Sequence, residues 1–435
     1  MSTSSHDHSG ESHAIVINGA RYSVGPHTAV HASLLVRGGR VERILRKSRS
    51  LRASPCEIDL NGWLLLPGLI NAHDHLQYAL HPRLGRPPYN NYVEWGDDIH
   101  VRMNDVISHH NSIAKESRLW WGGIRNLLCG VTTVCHHDPF WPTLKSPGYP
   151  IKVLSNYRWM HSVRLVRRGS DACSEAGADC PLFVHACEGT DKLAQGEIAE
   201  LDLLGVLNEK TVVVHGLAMD EDGIGLLVQR GSSVVLCLSS NQFLYNYLPD
   251  LERLKQIEKI ALGNDSPLSA AGDLLDEVRF VIAELAMPTD RAYRMVTDLP
   301  ATISCLSEGQ GCIREAGCAD LVAVRDNGDP PHRGFAMLSW RDVEFVMIAG
   351  EVRLASHDVW CRLPQVVADG MESIWIDGCV RWIRAPVRTL MEEAESVLGT
   401  GMVRLGGRAV RIMDSCNFNV SIGRTSGESQ IEERL

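Results

Sequence analysis

The chain has few lysines, few aromatic residues and no long apolar run. It contains 8 lysines against 35 arginines, and its 53 acidic residues outnumber these 43 cations, which gives a net charge of −10. An acidic chain does not favour nucleic acid or an anionic membrane as its main partner. No apolar stretch approaches the ~18 residues that cross a bilayer, and no secretory signal is recognisable, so we expect a cytoplasmic protein.

Thirteen cysteines are present, but they do not resemble a disulfide framework. Their number is odd, their spacing is irregular, and Cys135 and Cys237 lie within apolar runs. Such cysteines behave as small buried apolar side chains in a reducing compartment. The sequence also lacks a Walker or Rossmann glycine pattern, so its glycine pairs are expected to mark turns.

Short apolar runs divide the chain into three parts. Residues 13–64 and 305–415 contain strand-like runs separated by Asn-Gly and Gly-Gly turns, and we expect them to pair into one β-sandwich. Residues 65–304 alternate apolar strands with helical stretches, as in a parallel sheet covered by helices. Residues 1–12 and 416–435 are polar tails. The predicted fold is α/β: a distorted (β/α)8 TIM-like barrel with a small composite β-sandwich formed by both chain ends.

Seven of the eight strands that such a barrel needs are clear in the sequence. They are LLLPGLINA, GVTTVC, IKVLSN, PLFVHA, TVVVHG, SSVVLCLS and KIALGN. Only about twenty residues separate Trp159 from PLFVHA, which is too few for a full βα unit. HSVRLV is the candidate for the missing fourth strand, with its helix shortened or lost.

Polar side chains stand where four of these strands end. His73 and His75 follow the first strand, and their spacing places both rings on one face of an extended chain. His185 and His215 end two later strands, and Asp265 follows the last. One histidine at a strand end is usually structural, but four such ends meeting at one mouth of a barrel predict a metal site. Imidazole and carboxylate ligands favour zinc, with iron and manganese as alternatives.

These motifs resemble those of the amidohydrolase superfamily. LLLPGLINAHDH is similar to its first-strand motif, and HACE to the His-x-x-Glu motif of its aromatic deaminase and triazine hydrolase branch. VVVHG and LGNDSP resemble the sixth- and eighth-strand motifs, GVTTVCHHD the second, and GCIREAGCADLVAV the return to the β-sandwich. The motifs occur in the family's order and cover nearly the whole chain.

The resemblance implies a role for each of these residues. The implied ligands of one divalent metal ion are His73, His75, His185 and Asp265. Catalysis would then use Asp265, His215 beside the attacking water and the developing oxyanion, and Glu188 as general acid and base. A metal that lowers the pKa of water towards ~7 makes hydroxide available at neutral pH. A carboxylate is then needed to carry the proton to the departing nitrogen.

Two positions depart from the family pattern. Binuclear members carry a carboxylated lysine near the fourth strand, whereas the nearest lysine here, Lys152, lies one strand earlier. We therefore expect one metal ion rather than two. Cys318 stands where relatives often have lysine, and nothing catalytic depends on it.

Other side chains are candidates for contact with a small-molecule substrate, although a structural role is as compatible with each of them. They are Gln77, Trp95, His136, His137, His161 and Asn241. Trp95 lies in the long segment YNNYVEWGDDIH after the first strand, and such insertions commonly form lids or substrate walls. His136 and His137, followed by Asp138, close the second strand.

We therefore expect a metal-dependent hydrolase of a C–N bond that is not a classical peptide-bond protease. Deamination of an N-heterocycle, such as a purine, pyrimidine, pterin or triazine, is the first hypothesis. Hydrolysis of a larger amide or amidine in the maturation of a natural-product peptide is the alternative. A third hypothesis is an inactive barrel that serves as a binding scaffold, against which the intact ligands and Glu188 argue. The oligomeric state stays open, with a homo-oligomer allowed.

Overall fold

The computed structural model describes residues 14–45, 56–164 and 179–413. The strands are β1 (Ile15–Asn18), β2 (Arg21–Gly25), β3 (Thr28–His31), β4 (Ser33–Arg37), β5 (Arg40–Leu45), β6 (Cys56–Asp59), β7 (Trp63–Pro67), β8 (Leu69–Asp74), β9 (Val131–His136), β10 (Lys152–Val153), β11 (Arg158–Ser162), β12 (Leu182–Ala186), β13 (Thr211–His215), β14 (Ser233–Leu236), β15 (Ile260–Leu262), β16 (Leu321–Arg325), β17 (Phe345–Ile348), β18 (Glu351–Ser356), β19 (Glu372–Ile376), β20 (Cys379–Ile383), β21 (Arg404–Leu405) and β22 (Arg408–Ile412).

The helices cover the barrel strands and connect the sheets. They are α1 (Tyr92–Arg102), α2 (Asn104–Asn111), α3 (Lys115–Leu128), α4 (Lys192–Gln195), α5 (Glu197–Leu203), α6 (Glu221–Arg230), α7 (Leu238–Tyr245), α8 (Leu251–Leu254), α9 (Leu274–Leu285), α10 (Thr289–Arg294), α11 (Asp298–Ile303), α12 (Pro331–Phe335), α13 (His357–Trp360), α14 (Gln365–Ala368) and α15 (Val387–Leu398). None of these described helices is long and apolar enough to cross a membrane.

Eight parallel strands, β8 to β15, follow one another in chain order through two sheets. Strands β8, β9 and β10 form the first sheet, and β11 to β15 form the second. Within the described residues no strand pairing joins β10 to β11 or β15 to β8, so the two sheets are not hydrogen-bonded into a closed barrel. The end of β15 nevertheless meets the end of β8, because the N–H groups of Asn264 and Asp265 both donate to the carbonyl of His73, each at 3.1 Å.

The short third and fourth strands correct the sequence prediction. IKVLSN contains only the two-residue strand β10, and the fourth strand is RWMHS rather than HSVRLV, with which it shares only His161 and Ser162. The position of the fourth strand was mispredicted because most of its side chains are at least partly exposed to solvent. Every residue of β12 and β13 is buried, whereas four of the five residues of β11 are partly or fully exposed, so it lacks the continuous apolar run of a covered strand.

Strands from the two flanks of the barrel share one ten-stranded sheet, in the order β21-β22-β19-β20-β18-β17-β16-β7-β2-β3. The junction is the antiparallel pair β7–β16, in which Trp63 lies opposite Arg325 and Pro67 opposite Leu321. A second sheet, β5-β4-β1-β6, packs against it in a common apolar core that includes Ile17 and Phe345. The barrel thus stands beside a β domain, while the domain boundaries given above stay a prediction.

Candidate metal centre and active site

The ends of β8, β12 and β15 bring three imidazole rings and one carboxylate together. The Nε2 atoms of His73 and His185 lie 3.2 Å apart. Oδ1 of Asp265 lies 3.6 Å from Nε2 of His73 and 3.6 Å from Nε2 of His75. All four groups are buried or nearly so. The four residues predicted as metal ligands therefore form one cluster.

The spacing within this cluster fits a small divalent ion. Two atoms that each lie 2.0–2.1 Å from a tetrahedral zinc ion are about 3.3 Å from one another. The 3.2–3.6 Å separations between the facing atoms are close to that value. The donor set of three imidazoles and one carboxylate is also one that zinc accepts. The residues present thus fit the metal that the sequence implies.

Two hydrogen bonds orient the rings towards the cluster. Nδ1 of His185 lies 2.7 Å from the carbonyl of His161, and since a carbonyl only accepts, this nitrogen carries the proton. Nδ1 of His75 lies 2.7 Å from Oδ2 of Asp138, which also accepts from Nε2 of Gln77 at 2.6 Å. In both rings the outer nitrogen is protonated, so Nε2 of the neutral ring presents its lone pair to the cluster.

Close packing and backbone strain hold Asp265 in place. Its Oδ2 accepts hydrogen bonds from Ser240 at 2.8 Å and Ser269 at 3.0 Å, which leaves Oδ1 to face the histidines. Its φ of 53° lies in the left-handed region, which a non-glycine residue rarely adopts. Nearby, a Cβ on Gly263 would lie 2.5 Å from Cβ of His73, so only glycine allows this approach of β15 to β8.

Glu188 lies beside the cluster and bridges two further buried groups. Its Oε1 accepts a hydrogen bond from the Tyr245 hydroxyl at 3.0 Å, and its Oε2 is 3.6 Å from Nε2 of His215. Nδ1 of His215 in turn lies 3.0 Å from Oδ1 of Asn241. The other ring nitrogen of His215, Nε2, faces the carboxylate side of the cavity.

The protonation states follow from burial and from the neighbouring charges. Burial lowers the pKa of His73 to about 4, and it also lowers that of His185, so both rings are neutral at pH 7. Burial alone would lower the pKa of His75, but the hydrogen bond to Asp138 and the negative charges of Asp138, Asp265 and Asp74 together outweigh it and raise the pKa to about 9. Burial raises the pKa of Glu188 above its ordinary value, which suits a group that both accepts and donates a proton.

A cavity of about 390 Å³ opens onto this cluster. Its deep end is formed by His75, His185, Glu188, His215 and Asp265, and its outer wall includes residues of α1. The lining also contains aromatic side chains, which suit a flat apolar ring. These are Tyr78, Tyr92 and Trp95.

The structure separates the predicted substrate contacts into two groups. Trp95 and His161 line the cavity. The other four do not line it and pack behind it: Gln77, His136, His137 and Asn241. Gln77 bonds to Asp138 and Asn241 to His215, so these two amides orient other side chains of the site. Their hydrogen bonds give them a supporting position, and their contact with substrate stays a prediction.

His136 and His137 pack deeper still. Leu76 donates a backbone N–H to Nδ1 of His136 at 3.4 Å, and the Nε2 of His137 lies 3.2 Å from the carbonyl of Met160. The ring of His137 packs against that of His185 with the two planes tilted and the centroids 4.1 Å apart. Both rings are fully buried, so their place is in the packing around the ligands.

Two residues that the sequence reasoning did not single out belong to the site. Tyr245 contacts Glu188, and Asp97 lines the outer cavity wall. Both lie on helices, where a polar or aromatic residue at one position carries no signal of its own. Their helical spacing from neighbouring apolar residues could at best have indicated the face on which they lie.

Comparison with known proteins finds a family model that matches part of the chain. Residues 171–353 match the Amidohydrolase family. An imidazolonepropionase from Thermoplasma acidophilum is 22% identical over 341 residues, which are 67% of this chain and 82% of the relative. A 5-methylthioadenosine/S-adenosylhomocysteine deaminase from Pyrococcus furiosus is 24% identical over 377 residues, which are 71% of this chain and 86% of the relative.

A solved structure extends the likeness to the fold. The adenosine deaminase from Xanthomonas campestris, described with bound zinc, superposes with a TM-score of 0.65 at 17% sequence identity, covering 88% of this chain and 97% of the other. The predicted resemblance to the amidohydrolases is confirmed. With it the class of enzyme is confirmed, a metal-dependent hydrolase of C–N bonds.

Proposed function

We propose that this protein deaminates an N-heterocycle hydrolytically, with one divalent metal ion, zinc in the first place, held by its strand-end ligands. The proposed ligands are His73, His75, His185 and Asp265. The observation that carries the proposal is the position of Glu188. It lies next to the ligand cluster and at the deep end of the cavity, and it is hydrogen-bonded to neither His73 nor His75. The deaminase among the relatives supports the same reaction.

The reaction would use the residues of the deep end as follows. A divalent ion in the cluster would make water acidic enough, with a pKa near ~7, to act as a nucleophile at neutral pH. Glu188 accepts the proton of the attacking water and passes it to a ring nitrogen, which makes the neighbouring carbon electrophilic. The Nε2 side of His215 faces the oxygen that gains charge. Glu188 then takes the proton of the newly added hydroxyl group and gives it to the amino group, which leaves as ammonia as the carbonyl forms.

The size of the cavity favours a small substrate. A volume of about 390 Å³ lies near the lower end of the ~300–1,000 Å³ found for small-molecule pockets. Such a volume suits one or two fused rings with a short substituent and disfavours a peptide, the substrate of the alternative hypothesis. The inactive-scaffold hypothesis predicts no turnover at all.

The proposal is tested with metal-reconstituted protein and a panel of aminated purines, pyrimidines, pterins and triazines, with ammonia release as the measurement. At least one ring should be turned over by the wild type, and Glu188→Gln should abolish most of that activity while it retains the metal. Release of product from an amide or amidine but from none of the rings would favour the alternative. No turnover of either class, with metal bound, would favour the scaffold.

A further inference from the structure

The outer wall of the cavity contains an acidic residue, Asp97, that has no partner among the described residues. One face of α1 contributes Val93, Gly96, Asp97 and His100, which are spaced as neighbours along a helix. The other two acidic residues around Asp97 are occupied. Glu94 accepts hydrogen bonds from Asn90, and Asp98 is bonded to Tyr89 and Arg102. For Asp97 the described residues provide no hydrogen bond and no ion pair.

Helix α1 is anchored firmly enough for Asp97 to keep a fixed place over the site. The Oδ1 of Asn91 caps the helix by accepting from the N–H groups of Val93 and Glu94, and its Nδ2 donates to Asp191 at 2.6 Å. The backbone N–H of Tyr92 donates to the carbonyl of Glu188 at 3.4 Å, and the Tyr92 hydroxyl donates to Ser162 at 2.7 Å. The start of α1 is thus tied to β11 and to the backbone of Glu188.

The carboxylates at the deep end already have hydrogen-bond partners among the described residues, unlike that of Asp97. Asp138 is bonded to His75, Asp265 to two serines, and Glu188 to Tyr245. Among the cavity-lining residues that the structure describes there is no lysine or arginine. Beside Asp97 the helix also leaves room, because a Cβ on Gly96 would meet no atom within 4 Å. An unpaired carboxylate beside open space is a binding point for a donor or a cation.

We propose that Asp97 recognises the part of the substrate furthest from the reacting carbon, and that this part is a cationic group, such as an amine, and not a carboxylate or phosphate. The inference rests on the proposed deamination and names its substrate class: an aminated N-heterocycle with a basic substituent. The carboxylate of Asp97 attracts the cation and repels the anion, so the two effects add in free energy and multiply in the ratio of the two kcat/KM values. Because Asp97 is exposed to solvent, we expect a ratio of ~10-fold rather than a far larger one.

The test uses three derivatives of one ring that the wild-type enzyme turns over. They share the ring and its amino group and differ in one substituent opposite the reacting carbon: aminoethyl, hydroxyethyl or carboxymethyl. The wild type should show a kcat/KM for the aminoethyl compound at least ~10-fold above that for the carboxymethyl compound at neutral pH. Asp97→Asn should bring the ratio close to one, and Asp97→Lys should invert it. Asp105→Asn, an exposed carboxylate on α2 that does not line the cavity, is the matched control and should keep the wild-type ratio.

The outcomes separate this inference from the proposed function. Turnover of all three compounds with equal kcat/KM, or a ratio that Asp97→Asn leaves unchanged, overturns the inference and leaves deamination standing. If no ring is turned over, binding of the aminoethyl, hydroxyethyl and carboxymethyl derivatives of each ring in the panel to metal-loaded Glu188→Gln protein is measured by calorimetry. Preferential binding of the aminoethyl compound, lost in the Asp97→Asn background, supports the recognition role without deamination. Absence of binding by all three overturns both proposals.

Discussion

At its deep end the cavity is built from strand ends, and at its outer wall from one face of α1. The deep-end side chains are buried, and almost every one is held by a second side chain or a carbonyl, as His75 is by Asp138 and Asp265 by Ser240. The outer wall carries Asp97 and His100, which are exposed. The side chains at the deep end hold reacting atoms in place to a fraction of an ångström. The side chains of the outer wall can be changed without disturbing those atoms. Substitutions should therefore cost most at the deep end.

The largest effect is expected from loss of two ligands. His73→Ala with His75→Ala should remove the metal and reduce activity to background, because the remaining two groups cannot hold a divalent ion tightly. Elemental analysis should find close to one ion per wild-type chain and none in the variant, with circular dichroism unchanged. His100→Ala on the outer wall is the control and should keep its metal. Two ions per wild-type chain would contradict the single-ion site.

The next effect separates proton transfer from metal binding. Glu188→Gln keeps the shape of the side chain but cannot accept a proton, so kcat should fall by ~10²–10⁴-fold. The metal content should equal that of the wild type, because Glu188 is not one of the proposed ligands. Near-normal turnover by this variant would exclude the shuttle role and leave Asp265 and His215 as the remaining candidates.

Asp138→Asn should weaken metal binding without removing a ligand. Loss of the partner that orients a ligating histidine typically costs ~10–100-fold in metal affinity. The pH dependence gives a sharper readout. In the metal-free wild type His75 has a pKa of about 9, so a proton competes with the metal below that pH, and the affinity should fall tenfold for each unit below it.

In Asp138→Asn the pKa of His75 loses the hydrogen bond and the charge of Asp138, so it should fall below the wild-type value, while Asp265 and Asp74 still raise it. The proton then competes less with the metal, and the affinity should change less steeply between pH 7 and 9 than in the wild type. Competition titrations with a chromophoric chelator at pH 7, 8 and 9 measure both quantities. A weaker affinity with the wild-type slope would show that Asp138 does not control the proton of His75.

The smallest of these effects belongs to the contact between Tyr245 and Glu188. The hydroxyl stabilises the ionised carboxylate, so Tyr245→Phe should raise the pKa of Glu188 further. Since Glu188 must be ionised to accept a proton, the acidic limb of the profile of kcat/KM against pH should move to higher pH, with a loss of up to ~10-fold at neutral pH. Tyr247→Phe, which removes an exposed hydroxyl on the same segment, should leave the profile unchanged.

The deep end could be predicted from the sequence, and the outer wall could not. The ligands stand where an apolar run stops, so the pattern of β8, β12 and β15 marks His73, His185 and Asp265 without knowledge of the packing. Gln77 lies three residues beyond β8 and Asn241 lies within α7, and the side that each faces depends on partners far away in sequence. Gln77 turns to Asp138 and Asn241 to His215.

Tyr245 and Asp97 show where the sequence signal ends. Tyr245 reaches Glu188 because α7 packs across the end of β12, a tertiary contact over 57 residues. The predicted position of the fourth strand was wrong by a few residues for a related reason. Strand β11 is only partly covered, so its sequence contains no continuous apolar run that would mark its ends. Local pattern thus predicts covered strands and their ends, and contacts between helices and distant strands need the folded chain.

The pairing of β7 with β16 has a consequence for the order in which the molecule can assemble. Strand β7 ends at Pro67, six residues before His73, and its partner begins at Leu321. On the ribosome, the segment that carries the first two ligands is therefore synthesised long before the strand that flanks it. Contacts that join such distant segments form slowly and leave apolar surface uncovered meanwhile. A nascent chain that ends before residue 321 would contain every proposed metal ligand but would lack β16, the partner of β7. We therefore expect a truncated product released at that point to bind chaperones rather than to fold into a smaller enzyme.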